Sequence, residues 1–168
     1  MLNTSERDAT INPAPAVRLP RLFLRPDRSG AVLLDGGWWP RSADPAAELP
    51  GLILALDERH GRITTVMVGT AGWDASRPRR LRVDGPSGSR VVRLGWFATM
   101  PAGLLTAISA SDERTDLVTI PPQTSEQDAW AAMEQAAQSG NREHAPAILA
   151  AISAAPSTSP PPLPCGNA

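Results

Sequence analysis

The chain has 168 residues, 42% of them hydrophobic, which predicts one globular domain of ordinary size with room for tails. The 16 basic residues and 17 acidic residues give a net charge of −1, which excludes a nucleic-acid-binding surface over the whole chain. All of the basic residues are arginine, and the lack of lysine excludes Schiff-base and phosphate-loop lysine chemistry. One cysteine and two histidines exclude an internal disulfide and a Cys/His zinc framework, so we predict no metal and no cofactor.

The two ends of the chain differ in composition from its middle. Residues 1–16 are polar and lack the apolar segment of a secretory signal, so we predict a disordered leader and a cytoplasmic protein. Residues 156–168 are proline-rich and are predicted to form a disordered tail, which leaves one domain over residues 17–155. The most apolar segment, residues 145–155, is shorter than the roughly 20 residues that span a bilayer, so we predict no membrane role.

The first half of the domain is predicted to hold two strands and a helix. Residues 18–25 and 31–34 favour strands that a turn joins. Asp44 followed by Pro45 is typical of a helix start, and Gly61 of a helix end. The helix between them would bury one stripe of apolar side chains, formed by Leu49, Leu52, Ile53 and Leu56.

The second half is predicted to be mainly strands, followed by helices. Residues 63–68 are rich in β-branched side chains, and the short breaks between the later candidates favour antiparallel neighbours. Residues 125–140 and 147–155 favour helices. The fold class is therefore α+β: an antiparallel sheet of about six or seven strands, with one helix after the second strand and one or two C-terminal helices. The sheet could be strongly curved or barrel-like. The other strand candidates are residues 79–84, 90–99, 104–109 and 115–120.

The most unusual local sequence is Asp35-Gly-Gly-Trp-Trp-Pro-Arg-Ser42. Together with Glu48-Leu-Pro50, Trp73-Asp74 and the segments 80–85 and 91–97, it resembles a small actinobacterial family of unknown function whose signature is D-G-x-W-W-P-R-S. The resemblance covers roughly residues 19–133 and implies a cytoplasmic, single-domain protein. It implies no activity, because none is established for the family.

This motif predicts a binding corner built from tryptophan and arginine. Adjacent tryptophans in an extended segment point to opposite faces, and if Trp39 is the outward ring, Arg41 lies on its face and can stack on an indole or bind a carboxylate or phosphate. The competing interpretation is structural: both tryptophans seal the junction of sheet and helix, and Arg41 pairs with Asp35, Asp44 or Glu48. The corner would hold a partner protein or a small anionic ligand, and its candidate residues are Trp38, Trp39, Arg41, Trp73, Asp74 and Trp96.

A second candidate site is a basic cluster around the connection at residues 84–89. Arginines on one face of this predicted hairpin could bind phosphates, and Trp96 and Phe97 lie close by in sequence, as in surfaces that bind single-stranded nucleic acid. The competing interpretation is that charged side chains on an edge strand suppress aggregation. The cluster comprises Arg77, Arg79, Arg80, Arg82, Arg90 and Arg93.

The sequence contains no set of residues that could serve together as nucleophile, base and orienting group, so no catalytic residue is assigned. We therefore expect a non-catalytic binding or regulatory module that uses the tryptophan and arginine corner. The alternative is contact with RNA or single-stranded DNA through residues 77–93, and the least favoured hypothesis is a small enzyme that uses Asp74 or Asp35 with Arg41.

Overall fold

The computed structural model describes residues 19–27, 30–74 and 76–154, so the predicted leader at 1–16 and tail at 156–168 lie outside the described residues. Seven strands and three helices occur in these ranges. In chain order they are β1 (Arg21–Leu24), β2 (Gly36–Trp39), α1 (Pro45–His60), β3 (Ile63–Gly69), β4 (Arg80–Gly85), β5 (Gly88–Phe97), β6 (Leu104–Ser109), β7 (Arg114–Thr119), α2 (Glu126–Ala136) and α3 (Ala145–Ala154).

The strands form one sheet in the order β1-β2-β7-β6-β3-β5-β4, which curves into a half-barrel. The predicted α+β class is confirmed, with one helix after the second strand and two helices at the C-terminal end. The prediction of a purely antiparallel sheet is wrong, because β2 pairs with β7 and β3 pairs with β5 in parallel. A short connection determines only how two consecutive strands pair with each other. It did not reveal that β5, the hairpin partner of the edge strand β4, also pairs with β3 on its other side.

The second strand lies later in the chain than its sequence suggested. Residues 31–34 do not form a strand, and β2 instead contains two glycines and two tryptophans. The glycines are required by close packing: a Cβ on Gly36 would lie 2.0 Å from the carbonyl oxygen of Phe23, and one on Gly37 would lie 2.7 Å from Cγ of Met133. Glycine is depleted in strands in general, so this strand has no ordinary sequence signature.

The sheet carries a hydrophobic cluster on each side. On one side, here called the α1 face, Trp38 packs with α1 and with side chains from six of the strands. On the other, the α2 face, Trp39 packs with α2 and α3. The predicted start of α1 is confirmed, because the Asp44 carboxylate accepts a hydrogen bond of 3.0 Å from the backbone N–H of Ala46.

The two C-terminal helices cover only part of the α2 face. Helix α2 packs mainly on β2, and α3 packs on α2 and β7. Over β4 and β5 the outward side chains of this face remain exposed, and we call this region the open face. It comprises Arg80, Arg82, Asp84, Ser89, Val91, Arg93 and Phe97, with Gly95 between the last two. No helix within the described ranges has the length and the apolar character needed to cross a membrane.

Candidate functional site

A cleft of about 220 Å³ lies at one end of the sheet. The strands β2, β7, β3 and β5 run in the same direction, so the loops that follow β2, β3 and β7 and the loop that precedes β6 meet at this end. Its lining is mostly apolar, and none of the lining side chains that the structure describes is ionisable. This end cleft is lined by Pro40, Ser42, Gly69, Ala71, Gly72, Trp73, Ala102, Gly103, Leu104, Thr119, Ile120, Pro121, Pro122, Gln123 and Leu149.

Three tryptophans predicted for the binding corner lie together beside the end cleft. The half-buried ring of Trp73 stacks on Trp38 with 5.8 Å between ring centroids, and Trp96 meets Trp73 edge-on at 6.3 Å. The Trp96 Nε1–H donates a hydrogen bond of 2.9 Å to the carbonyl oxygen of Pro78. Trp73 therefore forms a wall of the end cleft that rests on the buried Trp38.

Trp39 lies on the opposite side of the sheet from these rings. It is only 6% exposed, so the expectation that Trp39 is the outward ring with Arg41 on its face is wrong. Instead the guanidinium of Arg21 lies 3.5 Å from the Trp39 ring centroid and donates hydrogen bonds to the carbonyl oxygens of Trp39 and Pro40. The indole N–H of Trp39 donates to the carbonyl oxygen of Pro121 at 3.2 Å, which fixes one side of the end cleft.

Arg21 was not predicted from the sequence as a site residue. Burial lowers the pKa of its guanidinium below the usual value, and the nearby positive charge of Arg41 lowers it further, whereas Glu48 and Glu126 raise it. Its place on Trp39 follows from the antiparallel pairing of Arg21 with Trp39 across β1 and β2. Since the location of β2 was not predicted, this pairing could not be.

Arg41 takes part in the loop between β2 and α1 rather than in the tryptophan stack. Its guanidinium donates to the carbonyl oxygen of Leu19 at 3.1 Å. Its backbone N–H and the Ser42 hydroxyl donate to the two carboxylate oxygens of Glu48 at 3.1 and 2.9 Å. Glu48 thus holds Ser42 at the cleft wall, which agrees in part with the structural interpretation of the motif.

The two aspartates suggested for an enzyme do not meet Arg41. The Asp35 carboxylate pairs with Arg25 at 3.4 Å and accepts a hydrogen bond from the backbone N–H of Asp116, which ties the start of β2 to β7. Asp74 is exposed, and its backbone N–H donates to the carbonyl oxygen of Ala43. Within the described ranges, moreover, no three His, Cys, Asp or Glu side chains converge where they could hold a metal ion.

The end cleft includes one polar group that the sequence did not reveal. The hydroxyl oxygen of Thr119, at the end of β7, is buried and has no hydrogen-bond partner among the residues that the structure describes. A buried hydroxyl without a partner is unfavourable, and this one lies inside the wall of the end cleft. A threonine near a strand end is common, so sequence alone gives no signal for this role.

The predicted basic cluster is divided between the two sides of the sheet. Arg90 shares the α1 face with Val92 and Leu94, and its guanidinium binds the Asp57 carboxylate at 2.5 Å. Arg82 donates to Ser89 at 2.7 Å and lies 3.6 Å from Asp84. Arg80 and Arg93 are exposed on the open face, and Arg77 is exposed in the loop before β4. Arg79 is exposed on the side of the α1 face, because it pairs with Leu94.

No curated protein and no solved structure matches this chain. A family model does match it, over residues 21–136, a span that begins with β1 and ends with α2. The match therefore takes in the whole sheet, the tryptophan stack and most of the end cleft, whereas α3 and its Leu149 lie beyond it. The chain belongs to DUF5994, a family of unknown function.

Proposed function

We propose that this protein is a non-catalytic binding module whose end cleft takes a small, mainly apolar ligand or side-chain group. The observation that carries the proposal is the lining of the cleft: one wall is the indole of Trp73, and most of the rest is proline, glycine and aliphatic side chains. Apolar concave sites with a few polar groups are the usual form of a small-molecule site. The Ser42 hydroxyl would orient the ligand.

The size of the cleft supports a group about as large as an indole. A cavity of about 150 Å³ accommodates benzene, and the end cleft is larger, at about 220 Å³. The lining also supports an uncharged ligand over the anionic one suggested by the sequence, because no lining side chain carries a positive charge. General acid–base catalysis in the cleft would lack an ionisable group to perform it.

The proposal is tested with 5-fluoroindole as the probe, followed by its fluorine NMR signal during titration with the full chain. We expect saturable binding that Trp73→Ala weakens at least tenfold. Trp130→Ala is the matched control, because Trp130 is 39% exposed on α2 and does not line the cleft. Equal weakening by both variants would show that the probe associates with exposed tryptophans in general.

A second variant separates binding from folding. Ala102 is exposed at the cleft wall, so Ala102→Trp adds a ring at the entrance without displacing a core side chain. We expect this variant to melt within a few degrees of the parent chain and to lose binding of 5-fluoroindole. Unchanged binding to Ala102→Trp would overturn the assignment of the ligand to the end cleft.

A further inference from the structure

We infer that the open face binds the phosphates and bases of single-stranded nucleic acid, at a surface separate from the end cleft. The strongest observation is the position of Arg80 and Arg93, which lie directly opposite each other on β4 and β5. Two positive side chains at facing positions repel each other in an isolated sheet. A bound anion between them removes this repulsion.

The hydrogen bonding of the two strands brings these arginines particularly close. The backbone N–H of Leu94 donates to the carbonyl oxygen of Arg79, which makes Arg79 and Leu94 a hydrogen-bonded pair. Pairs alternate along an antiparallel ladder, so Arg80 and Arg93 form a pair without backbone hydrogen bonds, the type in which the side chains are closest. Neither guanidinium forms a hydrogen bond or ion pair with another described residue.

The charge extends into the loop that leads to β4. Arg77 and Arg79 are exposed there, and their guanidinium groups likewise have no acidic partner in the part of the chain that the structure describes. Arg90, by contrast, is neutralised on the other face by Asp57. The net charge of −1 thus conceals three arginines on or beside the open face, Arg77, Arg80 and Arg93, that are available to phosphates.

An exposed aromatic ring on the same face favours nucleic acid over an acidic peptide. Phe97 is 43% exposed on β5, and its ring lies over Gly95, where a Cβ would come within 2.7 Å of it. Phe97 is four residues from Arg93 on the same side of the strand, a separation of about 13 Å. Arginines along a backbone track with an aromatic ring for base stacking are the usual means of binding single strands.

The test is fluorescence anisotropy of a labelled dT20 oligonucleotide with the full chain at 50 and 200 mM salt. Three phosphate contacts predict that affinity falls about 20-fold over this fourfold change in salt. Arg80→Gln with Arg93→Gln removes two contacts, so affinity at 50 mM salt drops and the salt effect shrinks to about threefold. Phe97→Ala weakens binding without changing the salt effect.

The matched control is Arg62→Gln with Arg142→Gln, which removes the same charge from two exposed arginines away from the open face. We expect the control to bind dT20 almost as the parent chain does. Equal weakening by the control would mean non-specific attraction and would overturn the inference. No binding of dT20 at 50 mM salt would do the same.

An acidic partner protein is the competing occupant, because β4 is an edge strand to which an extended peptide could add. A labelled deca-glutamate peptide measures it directly. If the peptide binds through Arg80 and Arg93 and dT20 does not, or if Phe97→Ala leaves dT20 binding unchanged, the nucleic-acid assignment is wrong. Ala102→Trp should leave dT20 binding intact, which separates this surface from the end cleft.

Discussion

The ring of Trp73 stacks on Trp38 at 5.8 Å, so a half-exposed side chain in the end cleft rests on a side chain that is only 1% exposed in the core. The loop after β3 is therefore anchored by an aromatic contact. The backbone N–H of Asp74 adds a hydrogen bond to Ala43 in the loop before α1. The shape of the cleft and the stability of the fold consequently depend on the same ring.

Trp73→Ala should lower the free energy of unfolding by about 2 kcal/mol, because it removes two aromatic contacts and part of the buried area over Trp38. Urea unfolding followed by circular dichroism measures the change. Trp130→Ala should cost less than about 0.5 kcal/mol, since Trp130 belongs to neither hydrophobic cluster. A larger loss for Trp130→Ala would contradict this ranking.

Thr119→Val should stabilise the protein by about 1 kcal/mol, because valine has nearly the same shape and removes a buried hydroxyl that lacks a partner among the described residues. The urea midpoint is the measurement. A decrease in stability would show that the hydroxyl is satisfied in solution.

Arg93→Glu should raise stability by about 0.5 kcal/mol, because it converts the facing arginine pair into an opposite-charge pair with Arg80. Arg80→Glu alone should act similarly, and the double variant should lose the gain because two negative charges then face each other. Thermal melts at low and high salt complete the cycle. Additive effects of the two substitutions would mean that the side chains do not interact.

Gly37→Ala should destabilise the fold by more than about 3 kcal/mol, since its Cβ would lie 2.8 Å from the backbone Cα of Met133 in α2, which cannot move aside alone. Gly69→Ala is the control. Its Cβ would have no neighbour nearer than 3.5 Å, and we expect a change below about 1 kcal/mol. Soluble expression and thermal melts of both variants decide the comparison.

The fold could be predicted where local signals and tertiary packing agree. Helix α1 has a capping aspartate, a proline in its first turn and a regular apolar stripe, and each is where the sequence placed it. Helix α2 begins directly after Ser125, at the predicted start of the range 125–140, but ends at Ala136 rather than near residue 140. The parallel pairs could not be inferred, because they join strands that are far apart in the chain.

The site was predictable only in part. The tryptophans that meet, Trp38, Trp73 and Trp96, were all predicted to belong to the binding corner, whereas Trp39 and Arg41 belong to other contacts. Strand alternation could have predicted that Arg90 lies on the buried side of β5, because residues 90, 92 and 94 point to the same side and Val92 and Leu94 are buried. Thr119 reaches the cleft through tertiary packing, for which one sequence offers no pattern.

Trp38 and Trp39 place one four-residue strand in both hydrophobic clusters of the protein. A slip of β2 by a single residue would exchange the two rings between the layers, so the register of this strand has no near alternative. If the helices on either side separated from β2, the indole on that side would be exposed, while the other indole would still hold the strand in place. Unfolding of the two layers is thus coupled through one peptide bond, and the described domain should melt in a single cooperative transition.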